Sequence, residues 1–171
     1  MQNLNLDAVE QSAAKALQEP GSLRQHVELK GDWQNGQGEP QFRATIPYPQ
    51  GSVEFTADFP PPLGGSGAAP SPLAYCFWGG LACYAMTFAT EAARAGVDVR
   101  GLHGTVEADV DMSRSLGAGN KPPVEEIRWT LRVASDASAE TIEQLKRLAD
   151  ERCPGAYCIR NPIDLVTEVR T

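Results

Sequence analysis

Residues 73–89, LAYCFWGGLACYAMTFA, decide the fold, because they contain no charged residue and run on into TEAARAG, residues 90–96. The pattern predicts a helix over residues 72–95 that is apolar on all sides for about four turns. Such a helix either crosses a membrane or is buried all round. The uncharged run is shorter than the roughly 20 residues that a span requires, and it contains Gly79 and Gly80, so we favour burial. Because a domain of this size rarely surrounds one helix completely, we expect a second subunit to supply part of its cover.

The sequence before this helix predicts a short helix and a meander. Residues 5–18 have apolar side chains at helical spacing, and Pro20 stops the pattern, so residues 1–20 form an N-terminal helical extension. Between residues 23 and 59 the period shifts to two, in LRQHVELKGDW, FRATIPY and SVEFTADF, with turn-forming stretches between them. This pattern predicts three antiparallel strands. Residues 60–72, rich in Pro, Gly and Ser, connect the meander to the apolar helix.

The sequence after the apolar helix returns to strands. Residues 97–112 and 124–135 alternate between polar and apolar side chains, and residues 163–170, IDLVTEVR, predict a last strand. A second helix is predicted over residues 139–152. Because strands and helices do not alternate regularly, the sequence indicates an α+β fold with mainly antiparallel pairing. The length of 171 residues is that of one domain, residues 1–171.

The charge balance excludes several partners. The chain has 22 acidic and 15 basic residues, a net charge of -7. It therefore has no general attraction to nucleic acid or to an anionic membrane surface, and we expect neither as a partner. The N-terminal sequence lacks the basic and apolar regions of a signal peptide, so we expect a cytoplasmic protein.

Four cysteines are the unusual chemical resource: Cys76, Cys83, Cys153 and Cys158. In a reducing compartment, paired cysteines indicate metal or redox chemistry more often than structural disulfides. The spacings of seven and five residues lack the tight C-x2-C form of most zinc sites. We therefore expect no metal and no cofactor. Cys153 follows the second helix and precedes Pro154, a position that is often accessible.

A dithiol peroxidase needs one thiol that is oxidised to a sulfenic acid and a second that condenses with it. Cys83 and Cys153 lie on different predicted elements, so only the fold can bring them together. The alternative for Cys83 is a small buried hydrophobic residue. Cys76 has two interpretations, packing in the core or a thiol relay, and Cys158 could be a relay or an alternative resolving thiol.

The attacking thiol must be ionised, and burial raises the pKa of a cysteine. Cys83 lies about three turns beyond Pro72, where the helix dipole has faded, so a cation has to come from elsewhere in the fold. Arg43, in the second predicted strand, is the first candidate. Arg24 and Arg160 are the others.

Three stretches resemble the OsmC/Ohr family of osmotically inducible and organic hydroperoxide resistance proteins. They are LGGSGAAPSPLAYCFWGGLACYAMTFATEAARAG, EEIRWTLRVAS and SAETIEQLKRLADERCPGAY. The resemblance implies an intertwined homodimer in which mainly antiparallel sheets wrap two central helices. It also implies that Cys83 is the peroxidatic and Cys153 the resolving cysteine, that organic hydroperoxides are the substrate, and that a small dithiol such as a lipoyl group is the reductant.

One position departs from the family pattern. Hydroperoxide-reducing members have a glutamate just after the proline that begins the central helix, where it orients the arginine over the thiolate. Here Leu73 and Ala74 follow Pro72. The alternative is therefore a family member without peroxidase activity that binds a small apolar ligand at the dimer interface.

Overall fold

A computed structural model describes residues 3–171. In chain order the elements are α1 (Leu6–Gln18), β1 (Gly31–Trp33), β2 (Phe42–Tyr48), β3 (Gly51–Ala57), a 3-10 turn (Pro61–Leu63), α2 (Pro72–Arg94), β4 (Gly101–Glu107), β5 (Arg128–Ala134), α3 (Ala139–Arg152) and α4 (Pro154–Arg160). The mixture of helices and small antiparallel sheets confirms the predicted α+β class.

The chain divides into two compact units. The helical unit comprises residues 3–9, Trp78–Asp109 and Glu126–Thr171. The meander unit comprises Glu10–Phe77 and Val110–Glu125.

In the meander unit, β1, β2 and β3 pair antiparallel in that order, as predicted. The first strand is shorter than the sequence pattern suggested, because only Gly31–Trp33 pairs with β2. Trp33 stands opposite Phe42 in the register, and Phe42 stands opposite Ala57.

Asp58 organises the loop that leads to α2. Its carboxylate is 2% exposed, and one oxygen, Oδ2, accepts hydrogen bonds from the Ser66 backbone N–H (3.1 Å), the Ser66 hydroxyl (2.7 Å) and the Ala68 N–H (2.9 Å). The hydrogen bonds from Ala68 and Ser66 lower the pKa of Asp58 below its ordinary value. The Pro- and Gly-rich segment is therefore a folded loop held by a buried carboxylate.

In the helical unit, β4 and β5 pair antiparallel from Gly101↔Ala134 to Glu107↔Arg128. The core of this unit is formed by buried residues on α2, α3 and α4 and at the junction of α3 and α4, together with Val99. Those other than Val99 are Tyr84, Phe88, Ala92, Leu145, Ala149, Cys153 and Ala156. Ser138 caps α3, because its hydroxyl accepts the Thr141 N–H at 3.1 Å. The predicted second helix is confirmed over the predicted residues.

The apolar helix α2 begins and ends within a residue of its predicted bounds. By length and composition alone it could cross a membrane, yet only 17% of its most apolar window is buried inside the chain. Trp78 and Met86 are 60% and 70% exposed. The chain alone therefore does not supply the all-round cover that the composition of α2 predicts.

The C-terminal end contains one helix that was not predicted and lacks one predicted strand. Residues 154–160, for which the sequence predicted no element, form α4, because proline fits the first position of a helix and the Cys153 sulfur caps it. Residues 163–170 do not form a strand, because no strand of residues 3–171 pairs with them. Their alternating apolar side chains remain exposed: Ile163, Leu165, Val166 and Val169.

Candidate functional site

The fold brings Cys83 and Cys153 together although they are 70 residues apart. The two Sγ atoms are 3.7 Å apart. A disulfide has an S–S distance of about 2.05 Å, so these are free thiols in contact. Cys83 is half-buried on α2, and Cys153 lies between α3 and α4.

Cys153 is buried, contrary to the prediction that it is accessible. Its exposed fraction is 0%. The prediction was wrong because a second helix follows the proline at once and encloses the junction. The Cys153 Sγ accepts the Ala156 N–H at 3.3 Å, which fixes the sulfur at the start of α4.

The close approach of α4 to Cys83 depends on Gly155. A methyl group at this position would lie 3.1 Å from the Cys83 Cβ, 3.3 Å from the Cys83 Sγ and 3.7 Å from the Cys153 Sγ. Glycine is therefore the residue that lets the backbone of α4 lie against the two thiols.

Burial raises the pKa of the Cys83 thiol, the Gly155 N–H acts in the opposite direction, and the neighbouring Cys153 and Cys158 raise it further. The thiolate of Cys83 is therefore disfavoured by its surroundings within the helical unit. Ionisation at neutral pH requires a positive charge that compensates the burial.

Glu91 is the buried carboxylate of α2, with 3% exposure. Its Oε1 accepts from Arg94 at 3.0 Å, and its Oε2 accepts from Arg152 at 2.6 Å. Arg152 immediately precedes Cys153 in the chain. The ion pair therefore ties the end of α3, and with it the backbone of Cys153, to α2.

A second carboxylate, Asp150, joins three helices. Its Oδ1 accepts from the Tyr84 hydroxyl of α2 at 2.9 Å, and Lys146 and Arg160 bind its oxygens at 2.9 and 3.3 Å. Burial alone would raise the pKa of Asp150, but the bonds from Lys146 and Tyr84 hold it below its ordinary value. Burial and the same bond raise the pKa of Tyr84. Asp150 and Glu91 thus fix the backbone on both sides of Cys153.

The three arginine candidates lie in different places. Arg43, on β2 in the meander unit, pairs with Glu39 at 3.1 Å and with Glu54 at 3.7 Å. Its Nε is buried and has no hydrogen-bond partner among residues 3–171. Arg160 binds Asp150. Arg24 lies in the irregular segment before β1.

The other two cysteines are exposed. For Cys76 this contradicts the core-packing interpretation, because its side chain lies on an exposed face of α2. No cluster of three or more His, Cys, Asp or Glu side chains in the described part of the chain could hold a metal ion.

Sequence patterns did not indicate Asp150 or Gly155, or a role for Glu91. The sequence could have indicated the role of Glu91. It is the first charged residue after the uncharged run of α2, and a carboxylate buried on such a helix needs a partner. Asp150 and Gly155 had none, since their importance comes from residues far away in the sequence.

Comparison with known proteins decides the family. The family model of the OsmC-like protein matches residues 64–168. The chain belongs to the OsmC-like protein family. The match indicates a soluble fold. No match was found among curated proteins.

Solved structures show the same fold at low sequence identity. An OsmC-like protein from Mycoplasma pneumoniae is 17% identical, with a TM-score of 0.59 over 81% of this chain and 89% of the other. An organic hydroperoxide resistance protein from Legionella pneumophila is 18% identical, with a TM-score of 0.54 over 80% and 92%. An OsmC-like protein from Vibrio cholerae is 15% identical, with a TM-score of 0.56 over 78% and 93%. The OsmC-like architecture extends over most of the chain.

Proposed function

We propose that the protein is a thiol-dependent peroxidase that reduces organic hydroperoxides with Cys83 and Cys153. The observation that carries the proposal is the 3.7 Å separation of the two sulfur atoms. The hydroperoxide resistance protein of Legionella pneumophila, which shares the fold, supports the substrate class.

In the first step the Cys83 thiolate attacks the terminal oxygen of the hydroperoxide. The O–O bond breaks, and the alkoxide leaves and takes a proton to become the alcohol. Cys83 becomes a sulfenic acid. The peroxide has then gained two electrons, which the sulfur has lost.

In the second step the Cys153 sulfur attacks the sulfenic sulfur of Cys83. The S–S bond forms, and the hydroxyl group leaves as water with the proton of Cys153. The short distance between the sulfur atoms favours this step, because it requires little backbone movement. A small dithiol, such as a lipoyl group, then reduces the disulfide and is itself oxidised to a cyclic disulfide.

Arg43 is the proposed cation that favours the Cys83 thiolate. Hydroperoxide-reducing relatives use a glutamate after the proline to orient the arginine, and Leu73 stands there instead. Glu39 and Glu54 already bind the Arg43 guanidinium and restrict its orientation. The unpartnered Nε of Arg43 leaves one donor for a further anion.

The proposed assembly is a homodimer in the cytoplasm. The poor cover of α2 within one chain and the exposed apolar side chains of residues 163–170 support a second copy as the missing cover. We propose no nucleic acid or membrane partner, in line with the net charge of -7.

A second function is a non-catalytic OsmC-like protein that binds a small apolar ligand at the dimer interface. The raised pKa of Cys83 favours it, since a neutral thiol reacts slowly with peroxide. The absence of the glutamate after Pro72 points the same way.

Peroxide consumption separates the two functions. With tert-butyl hydroperoxide and dihydrolipoamide, the wild type should turn over rapidly, and Cys83→Ser should abolish the reaction. Cys76→Ser, which removes an exposed thiol of the same helix, is the matched control and should retain the wild-type rate. A wild type as inactive as Cys83→Ser would overturn the peroxidase and favour the binding function.

A pH profile tests Arg43. Since Arg43 acts by favouring the thiolate, Arg43→Gln should slow alkylation of Cys83 by iodoacetamide about tenfold or more at pH 7 and much less at pH 10. An equal slowing at both pH values would contradict this role and indicate a structural defect instead.

A further inference from the structure

A third thiol, Cys158, lies on the helix that contacts the pair. It is an exposed cysteine of α4, three residues after Gly155. Gly155 is the residue whose backbone packs against the Cys83 sulfur. Residues three and four apart share one face of a helix, so Gly155, Cys158 and Ile159 face the same way.

The direction of α4 along α2 follows from two contacts. Gly155 lies against Cys83, and the Ile159 Cδ1 lies 3.1 Å from the position that a Cβ of Gly80 would occupy. Residue 155 of α4 therefore pairs with residue 83 of α2, and residue 159 pairs with residue 80. Since the numbers rise along α4 as they fall along α2, the two helices are antiparallel here. Along α4, Cys158 lies between the residues that make these two contacts, at the edge of the helix face turned toward α2. Its electrostatic effect on Cys83 agrees with this placement.

Reduction of a Cys83–Cys153 disulfide meets a problem of access. A thiolate must reach a disulfide sulfur to attack it. Cys153 is 0% exposed and Cys83 is half-buried, whereas Cys158 is exposed. The thiol that is accessible to a reductant is thus not a member of the reactive pair.

We propose that Cys158 is a relay thiol that attacks the Cys83 sulfur of the Cys83–Cys153 disulfide and moves the disulfide to the surface as Cys83–Cys158. This inference rests on the proposed peroxidase function. The Cys158 thiolate forms the new S–S bond, the old S–S bond breaks, and Cys153 leaves as a thiolate that takes up a proton. The exchange involves no net oxidation.

The partner in this exchange is Cys83 rather than Cys153. Helix geometry separates the Cα atoms of residues five apart by about 9 Å. A disulfide needs Cα atoms within about 7 Å, so Cys153 and Cys158 of one helix cannot bond without unwinding it. The leaving Cys153 sulfur already accepts the Ala156 N–H at 3.3 Å, which stabilises the negative charge that it acquires.

A small dithiol then completes the cycle at the surface. One thiolate of the dithiol attacks the exposed Cys158 sulfur and releases the Cys83 thiolate. The second thiol of the dithiol closes the cyclic disulfide and releases Cys158. Both electrons come from the dithiol, and all three cysteines are again free.

Disulfide mapping tests the relay. The wild type, Cys158→Ser and the matched Cys76→Ser variant are oxidised with tert-butyl hydroperoxide and, separately, with the thiol oxidant diamide. Free thiols are blocked at acid pH, and the protein is cut with trypsin and chymotrypsin. Chymotrypsin cuts after Tyr157, between Cys153 and Cys158, so mass spectrometry distinguishes the two linkages. The wild type and Cys76→Ser should give both Cys83–Cys153 and Cys83–Cys158, and Cys158→Ser only the first.

Reduction kinetics provide the second readout. Dihydrolipoamide should reduce the oxidised Cys158→Ser variant about tenfold more slowly than the wild type, because the exposed sulfur is missing. Hydroperoxide should oxidise Cys83 of this variant no more slowly than Cys83 of the wild type, because Cys158 raises the pKa of Cys83. Equal reduction rates, or no Cys83–Cys158 linkage with either oxidant, would overturn the relay. If hydroperoxide leaves Cys83 free while diamide gives both linkages, the peroxidase function fails and the exchange stands.

Discussion

The helical unit and the meander unit bury very different residues. Every fully buried apolar side chain among residues 3–171 belongs to the helical unit. The meander unit has one fully buried residue in that range, the carboxylate of Asp58, while Trp33 and Tyr48 are 59% and 53% exposed. The thiol pair thus lies where one chain completes its own core. The meander, with Arg43, leaves apolar side chains exposed.

The largest expected effect is the loss of the carboxylate that anchors α3 to α2. Glu91→Ala removes the buried carboxylate that binds Arg152 and should lower the free energy of unfolding by about 2–3 kcal/mol, the loss of a charged hydrogen bond whose arginine stays half-exposed. Urea denaturation measures it. Glu126→Ala, which breaks the exposed pair with Arg128, is the control and should lower the free energy of unfolding much less, because solvent screens that pair. Equal losses of unfolding free energy in the two variants would show that the buried ion pair stabilises the protein no more than the exposed one.

A methyl group at Gly155 should disturb the thiols directly. Gly155→Ala places it 3.3 Å from the Cys83 Sγ, and the overpacking should cost about 1–3 kcal/mol and slow formation of the Cys83–Cys153 disulfide.

Gly79→Ala is the matched control for Gly155, because nothing lies within 4 Å of its Cβ position. In a helix interior it should stabilise the protein by about 0.5–1 kcal/mol. Equal changes in stability and in the rate of disulfide formation for the two substitutions would contradict a specific role of Gly155 at the thiols.

Asp58 should make the meander unit sensitive to acid. Its folded-state pKa is lowered, so its contribution is present above the ordinary value of 3.8 and is lost as the pH falls through the folded pKa. Asp58→Asn should therefore be less stable than the wild type at pH 7 and should lose less stability below pH 4. Denaturation at several pH values checks it, and parallel curves for the two proteins would contradict it.

The smallest effect on one chain is expected at the exposed face of the meander. Trp33→Gln should change the stability of the monomer by about 0.5 kcal/mol or less. If a second copy covers this face, the same variant should shift the monomer–dimer equilibrium toward monomer in sedimentation experiments. An unchanged equilibrium would place the dimer contact elsewhere.

Much of the fold could be predicted from the sequence. The uncharged run of α2, the capped periodicity of α3 and the alternation of the meander are local patterns, and each formed the predicted element. Residues 163–170 did not form the predicted strand, because a strand needs a neighbour to pair with. The alternation within one segment does not show whether such a neighbour exists.

The candidate site was less accessible to sequence reasoning. Cys83 and Cys153 could be named, but their contact depends on Gly155, which lets α4 approach α2. It also depends on two carboxylates with distant partners, since Glu91 binds Arg152 and Asp150 binds Tyr84. The burial of Cys153 was missed because Pro154 was taken as the end of helical structure, whereas it begins α4.

The most direct test of the central claim is the thiol count after a single turnover. One equivalent of cumene hydroperoxide should convert Cys83 and Cys153 to one intramolecular disulfide, which exchange can then move to Cys83–Cys158, and should release one equivalent of alcohol. Mass spectrometry of the alkylated protein would show the loss of the two thiol hydrogens. Both Cys83 and Cys153 remaining free and alkylated after that treatment would contradict the account.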